Sequence, residues 1–272
     1  MQSILKQAIK NLVKKLVSNL SERNRKSIIN VFVKSLPAPE QWKFSQYGVI
    51  NYFSYLKANG WKPQTFIDVG AFEGNWTAEM MSLNPEGNFY CFEPLQEKVL
   101  ILKKKFEGKK VVITEGLLGP SAQDKVKFHA SESGSSVYAE QSSFSKELRE
   151  LKMSTLDESM KENSLQKPVL LKLDVQGYEL EVLKGAKGVL AEVDIVQMEV
   201  SLLDYNEGAP LIAEVLQEMN DAGFYAFEIP GFHRRADDWS LIQVDIIFCR
   251  KEFPLRQKAN NFFTDFKVVN FG

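Results

Sequence analysis

Two runs of the chain, residues 169–175 and 194–200, are apolar at nearly every position, and a stretch with helical spacing at 178–187 separates them. A strand with one face in water alternates apolar and polar residues. A strand without alternation is covered on both faces, which is the situation of a parallel sheet lying between two layers of helices. The same rhythm continues upstream. Residues 65–69, 88–92 and 111–114 read as strands, and 76–83 and 95–106 as helices, the second closed by Gly108. A helix over 155–160 opens with the capping-box pair Thr155 and Glu158. Further on, a helix at 210–222 stopped by Gly223 leads to strands at 224–229 and 244–250. Pro230, Gly231 and the absence of a helical pattern between them predict a hairpin. An antiparallel last strand should therefore close an otherwise parallel, doubly wound α/β sheet. The serine-rich stretch 125–138, with Ser131, Ser133, Gly134, Ser135 and Ser136, reads as an irregular hairpin or loop over the sheet edge.

Pro37 and Pro39 mark a boundary, followed by a helix at 47–56. The expected organisation is a basic helical extension at 1–36, a domain at 37–255 with its core at 64–250, and a tail at 256–272. Residues 1–35 hold eight basic side chains (Lys6, Lys10, Lys14, Lys15, Arg23, Arg25, Lys26, Lys34) against Glu22 alone. Ile4, Ala8, Ile9, Leu12, Val13, Leu16, Val17 and Leu20 form one apolar stripe. Such a helix docks on protein or lies on an anionic membrane surface. The whole chain carries a formal net charge of -1, which argues against a nucleic-acid binder. Cys91 and Cys249 sit in apolar runs, suiting a reducing, cytoplasmic compartment; no CxxC or Cys/His cluster suggests a metal.

The first strand runs into Asp68, Val69, Gly70, Ala71, Phe72, Glu73 and Gly74 before a helix. Glycines here allow a tight turn and close approach of a ligand to the backbone. The spacing is not the GxGxxG of a dinucleotide site. A carboxylate at 68 would repel a phosphate and suit an ammonium group. Glu93, at the tip of the second strand, is placed to accept hydrogen bonds from both hydroxyls of a ribose. The two elements together point to a nucleoside ligand without phosphates, unless Asp68 and Glu93 only cap the helices that follow.

These residues, with Phe92-Glu93-Pro94, Ser154-Thr155-Leu156-Asp157 and the long block LKLDVQGYELEVLKGA at 171–186, resemble the FkbM-type S-adenosylmethionine-dependent methyltransferases. The similarity spans roughly residues 64–250 and does not reach the first 60; position 72, usually Asn in the family, is Phe here. The resemblance implies a seven-stranded, Rossmann-like class I methyltransferase fold that O-methylates hydroxyls of sugars, polyketides or other small molecules. By that likeness Asp68, Gly70 and Gly74 hold the methionine moiety and Glu93 the ribose. Ala71, Pro94 and Asp174 count among the cofactor-binding residues, and Leu117 lies near the adenine by position.

Methyl transfer to a neutral hydroxyl needs alignment and a base. Asp174 and Glu199, at the ends of the fourth and fifth strands, are the first candidates for base or substrate orientation. Paired carboxylates could instead hold Mg²⁺, a reading not favoured because no third ligand is evident. His129, in the serine-rich stretch, and His233, in the last hairpin, are further candidates. Phe232, Trp239, Arg234 and Arg235 are either substrate contacts or an exposed loop. The competing functions are a non-catalytic methyltransferase-like module that binds a partner and an NAD-dependent oxidoreductase.

Overall fold

A computed structural model describes residues 48–130, 135–138, 147–204, 206–235 and 237–259. The basic segment 1–36, the boundary at Pro37 and Pro39, the tip 131–134 and the tail beyond 259 lie outside the described residues.

The strands are β1 (Thr65–Val69), β2 (Asn88–Glu93), β3 (Val111–Glu115), β4 (Leu117–Leu118), β5 (Gln123–Ala130), β6 (Glu147–Ser154), β7 (Val169–Leu173), β8 (Ile195–Ser201), β9 (Phe224–Arg234) and β10 (Leu241–Arg250). The helices are α1 (Val49–Ala58), α2 (Asn75–Leu83), α3 (Gln96–Lys105), α4 (Leu156–Met160), α5 (Glu179–Lys184), α6 (Lys187–Glu192), α7 (Ile212–Asp221) and α8 (Pro254–Ala259). Seven strands form one sheet in the order β3-β2-β1-β7-β8-β10-β9. All neighbours are parallel except β10, which pairs antiparallel with both β8 and β9. The hairpin expected from Pro230 and Gly231 is thus present, with strands longer than the apolar pattern alone marked.

The missing alternation of β1 and β7 has its cause in two covered faces. Ile67, Val69, Leu171 and Leu173 pack on one side with Val182, Val189 and Val215 from α5, α6 and α7. Phe66 and Leu170 pack on the other with Phe53 and Leu56 of α1 and Met80 of α2. Each such side chain, taken fully from water, contributes roughly 1.5–3 kcal/mol. The side-chain period of two then also sends Asp68 and Lys172 to the α1–α2 side, and they are register partners on adjacent strands.

Two elements differ from the sequence pattern. The helix expected at 178–187 is broken into α5 and α6 at Gly185, where a Cβ would come within 2.1 Å of the Gly119 carbonyl oxygen. Asp157 accepts hydrogen bonds from Gly188 and Val189 and caps the new helix start (2.9 and 2.8 Å), while Thr155 and Glu158 form the expected capping box. The serine-rich stretch takes the hairpin form of the two expected, with His129 and Ser136 bridged antiparallel, but it is more regular than its sequence suggests. Its first part is β5, which joins β6 and β4 in a second, three-stranded sheet. Phe128 and Ala130 are its buried positions, alternating with Lys127 and His129. Among the described residues no helix is long and apolar enough to cross a membrane.

Candidate active site

The turn after β1 is held against β2 by two hydrogen bonds, from the amides of Gly70 and Ala71 to the Phe92 carbonyl (3.0 and 3.1 Å). Gly70 has φ +77°, and a Cβ there would stand 1.9 Å from the Asp174 carbonyl oxygen. The loops after β1 and β7 can meet this closely only because residue 70 has no side chain. At Gly74, with φ +69°, a Cβ would strike Phe106 and Leu102, so glycine there lets α2 pack closely against the end of α3.

Phe72 occupies the left-handed region at φ 49°, which Asn tolerates and a bulky residue resists. Its amide donates to Glu93 Oε2 at 2.8 Å, and Lys98 Nζ lies 3.9 Å from its ring centroid. Relief of about 1 kcal/mol of backbone strain should roughly offset the lost cation–π contact in Phe72→Asn. Urea denaturation of that variant is expected to give a stability within about 1 kcal/mol of the native chain; a larger loss would mean that the ring's packing dominates.

Glu93 ends β2 with 4% of its surface exposed. Its Oε1 accepts from the Leu95 amide at 3.0 Å, completing a two-point grip with Phe72 on the other oxygen. Burial pushes its pKa up, against the two amides, which favour the ionised form. The carboxylate edges a cleft open to solvent whose walls include Gly70, Pro94, Leu117, Phe128, Asp174 and Tyr178. Leu95, Leu118 and Val137 make one side of it apolar.

Asp68 does not reach this cleft. It is 1% exposed, with Oδ2 taken by the Thr77 hydroxyl (2.6 Å) and Oδ1 by Lys172 Nζ (2.9 Å). The ammonium group that the sequence reading sought for Asp68 is the chain's own. Lys172 is also buried, and it donates to the Gly70 carbonyl (3.2 Å) and faces Asp174 Oδ2 (3.4 Å). Burial pulls its pKa down, but the Asp68 and Asp174 carboxylates outweigh that and hold it above the ordinary value. Sequence reasoning did not single out Lys172; the signal was a lone lysine inside an apolar strand.

Beyond Asp174 the ends of four strands meet in a polar cluster. Gln176 donates to Asp174 Oδ1 (3.1 Å) and to Glu199 Oε1 (2.6 Å) on β8. Gln243 of β10 donates to the same Glu199 oxygen at 2.8 Å. His233 of β9 places Nε2 3.6 Å from Glu199 Oε2 and 3.2 Å from Asp245 Oδ2. Burial, with Asp174 beside it, pushes Glu199 up to about 8, while His233 opposes the shift. The hydrogen bond to Asp245, opposed by burial and supported by Glu199, raises His233. Glu179 is buried and accepts from the amides of Val175 (2.9 Å) and Gly177 (3.2 Å), fixing the loop; burial raises it to about 7. The structure therefore brings Asp174, Glu199 and His233 together. His129 is elsewhere: on β5 it alternates with Phe128, so it faces away from the cleft that Phe128 lines. Asp245 was not among the candidates. Among the described residues no group of His, Cys, Asp or Glu is arranged to hold a metal ion. Trp239, at the hairpin tip, is 74% exposed.

The strand order β3-β2-β1-β7-β8-β10-β9 with β10 antiparallel is the topology of the class I methyltransferase fold. The chain belongs to the FkbM methyltransferase family, since the model of the Methyltransferase FkbM domain matches residues 68–225. Among solved structures, a precorrin-6y C5,15-methyltransferase from Geobacter metallireducens GS-15 is similar at 14% identity and TM-score 0.41, over 74% of this chain and 86% of that one. A methyltransferase FkbM from Methylobacillus flagellatus KT is similar at 12% identity and TM-score 0.43, over 82% and 59%. A magnesium protoporphyrin IX methyltransferase from Synechocystis PCC 6803, with S-adenosylmethionine bound, is similar at 9% identity and TM-score 0.44, over 74% and 78%. No curated protein matches the chain.

Proposed function

We propose that this enzyme methylates a hydroxyl oxygen of a small molecule or glycan. The observation that carries the reading is the acid–base cluster of Asp174, Glu199 and His233, which begins at the wall of the cleft and leads away from Glu93.

The donor set fits S-adenosylmethionine. Both Glu93 oxygens are pinned by amides yet keep lone pairs for the two ribose hydroxyls. The apolar wall with Pro94 and Leu117 suits a flat adenine, and Asp174 suits the ammonium of the methionine part. Gly70 and Ala71 bring the backbone close to that part, and Asp68 acts behind them through Lys172. The Asp174 carboxylate beside the glycine turn disfavours a pyrophosphate there, and with it a dinucleotide. When bound, the cofactor supplies a methyl group on a sulfonium whose bonding pair leaves with sulfur. The chain's own residues align the acceptor and take its proton, a contribution of typically 10²–10⁴-fold for a positioned base.

Thermal denaturation with S-adenosylhomocysteine, with NAD as control, tests the site. Ligand at 100 times its Kd adds about 2.7 kcal/mol and so several degrees. In Glu93→Gln the loss of charge-assisted hydrogen bonds is expected to raise the Kd for S-adenosylhomocysteine roughly 10- to 100-fold by calorimetry. Unchanged affinity would remove Glu93 from the site, a shift with NAD alone would favour the oxidoreductase, and no shift with either would favour a partner-binding module.

A further inference from the structure

His233 meets both of its carboxylate neighbours with the same ring nitrogen. Nε2 lies 3.2 Å from Asp245 Oδ2 and 3.6 Å from Glu199 Oε2, and among the described residues Nδ1 has no partner. A neutral imidazole carries one proton, and the nitrogen facing a carboxylate keeps it. The other nitrogen then presents a lone pair.

Asp245 is built into place rather than loosely adjacent. Its register partner across the hairpin is Gly231, where a Cβ would come within 2.0 Å of Asp245 Oδ2, so only glycine leaves that oxygen its position. Its Oδ1 accepts from Gln197 Nε2 at 3.4 Å, and Gln197 Oε1 in turn accepts from Trp76 Nε1 at 2.7 Å. The chain of contacts runs from α2, beside the glycine turn, across β8 and β10 to the histidine on β9. Glu199, nearer the cleft, has its other oxygen engaged by Gln176 and Gln243.

We propose that Asp245 is the positioning residue that holds His233 with Nε2 protonated, leaving Nδ1 to take the hydroxyl proton of the acceptor. This rests on the methyl-transfer reading above. As the acceptor oxygen forms its bond to the methyl carbon, the O–H bond breaks, its electron pair stays on oxygen and the proton passes to Nδ1. The resulting imidazolium is stabilised by the Asp245 carboxylate 3.2 Å from Nε2, with the Glu199 carboxyl of β8 at 3.6 Å beside it.

The test is ring-nitrogen NMR of the 272-residue chain labelled with ¹⁵N-histidine. The chain has only two histidines, so His129→Gln assigns the spectrum. The neutral form of His233 is expected to show a protonated Nε2 and an unprotonated Nδ1, with an apparent pKa above that of free histidine. In Asp245→Asn that pKa should fall by about one unit or more, and the two tautomers should mix. A dominant Nδ1–H tautomer in the native chain, or a pKa that Asp245→Asn does not move, would overturn the proposal. The native spectrum decides the first point even if the variant does not fold. A thermal shift with S-adenosylhomocysteine on both proteins separates the readings. If that ligand fails to bind the native chain, the methyl-transfer reading falls, whereas the tautomer result bears on Asp245 alone.

Discussion

Replacing Lys172 by Met is expected to cost about 3–5 kcal/mol of stability, the usual consequence of removing one partner of a buried ion pair. For a domain of this size that lowers the thermal midpoint on the order of ten degrees. The cause is what the substitution leaves behind. Asp68 is 1% exposed and 2.9 Å from Lys172 Nζ, so its carboxylate would stay buried with only the Thr77 hydroxyl to stabilise it. The double variant Asp68→Asn/Lys172→Met should recover most of the loss, because a neutral amide can keep the Thr77 contact without a counter-charge. A double-mutant cycle by urea denaturation measures this directly. If Lys172→Met alone proves as stable as the native chain, the pair is worth no more than a surface ion pair and the assignment is wrong. The same lysine ties the Gly70 carbonyl to Asp174, so the single variant should also weaken binding of S-adenosylhomocysteine.

The sheet was legible wherever burial on two faces wrote itself as continuous apolar sequence. That holds for β1, β7 and β8; the hairpin was legible from the short non-helical connection, although β9 continues through Pro230 and Gly231 to Arg234. Glu93 was legible for a related reason, as an acidic residue at the end of an apolar strand. The pairing of Asp68 with Lys172 was not, because the two are 104 residues apart and become neighbours only through the parallel register of β1 and β7. A local reading therefore assigned Asp68 to a ligand. Asp245 escaped notice for a similar reason: its approach to His233 depends on the irregular register of β9 and β10, with shifts between Leu241 and Gln243 and between Asp245 and Ile247. The second sheet was hidden because β6 keeps Met153 buried but exposes Leu148, so its alternation is incomplete in sequence. Its partner β5 reads as a strand only when the alternation of Phe128 and Ala130 is weighed above the serines that follow. The residues that remain hard to read locally are those whose role is set by a neighbour on another strand.

Gly70→Ala should destabilise the chain by about 4 kcal/mol or more, which places it among the exceptional single substitutions. Part of this is the left-handed backbone, φ +77°, where an L side chain costs roughly 1–2 kcal/mol. The larger part is contact with backbone that has nowhere to go. The added Cβ would stand 1.9 Å from the Asp174 carbonyl oxygen, and the Asp174 amide is itself bonded to the Val69 carbonyl at 3.1 Å. Relief requires the ends of β1 and β7 to part, which would stretch the Lys172 bridge between Gly70 and Asp174 and deform the wall of the cleft. Gly108→Ala supplies the control. Its φ of +69° is close to that of Gly70, but nothing lies within 4 Å of a Cβ there, so it should lose only the backbone cost of about 1 kcal/mol and keep its affinity for S-adenosylhomocysteine. Urea denaturation and a thermal shift on both variants separate the two contributions. Equal, small losses would mean that the strand ends yield easily and that the close approach of the two loops is not what shapes the site. A large loss at 70 alone would identify that approach as the contact on which both the sheet and the cleft depend.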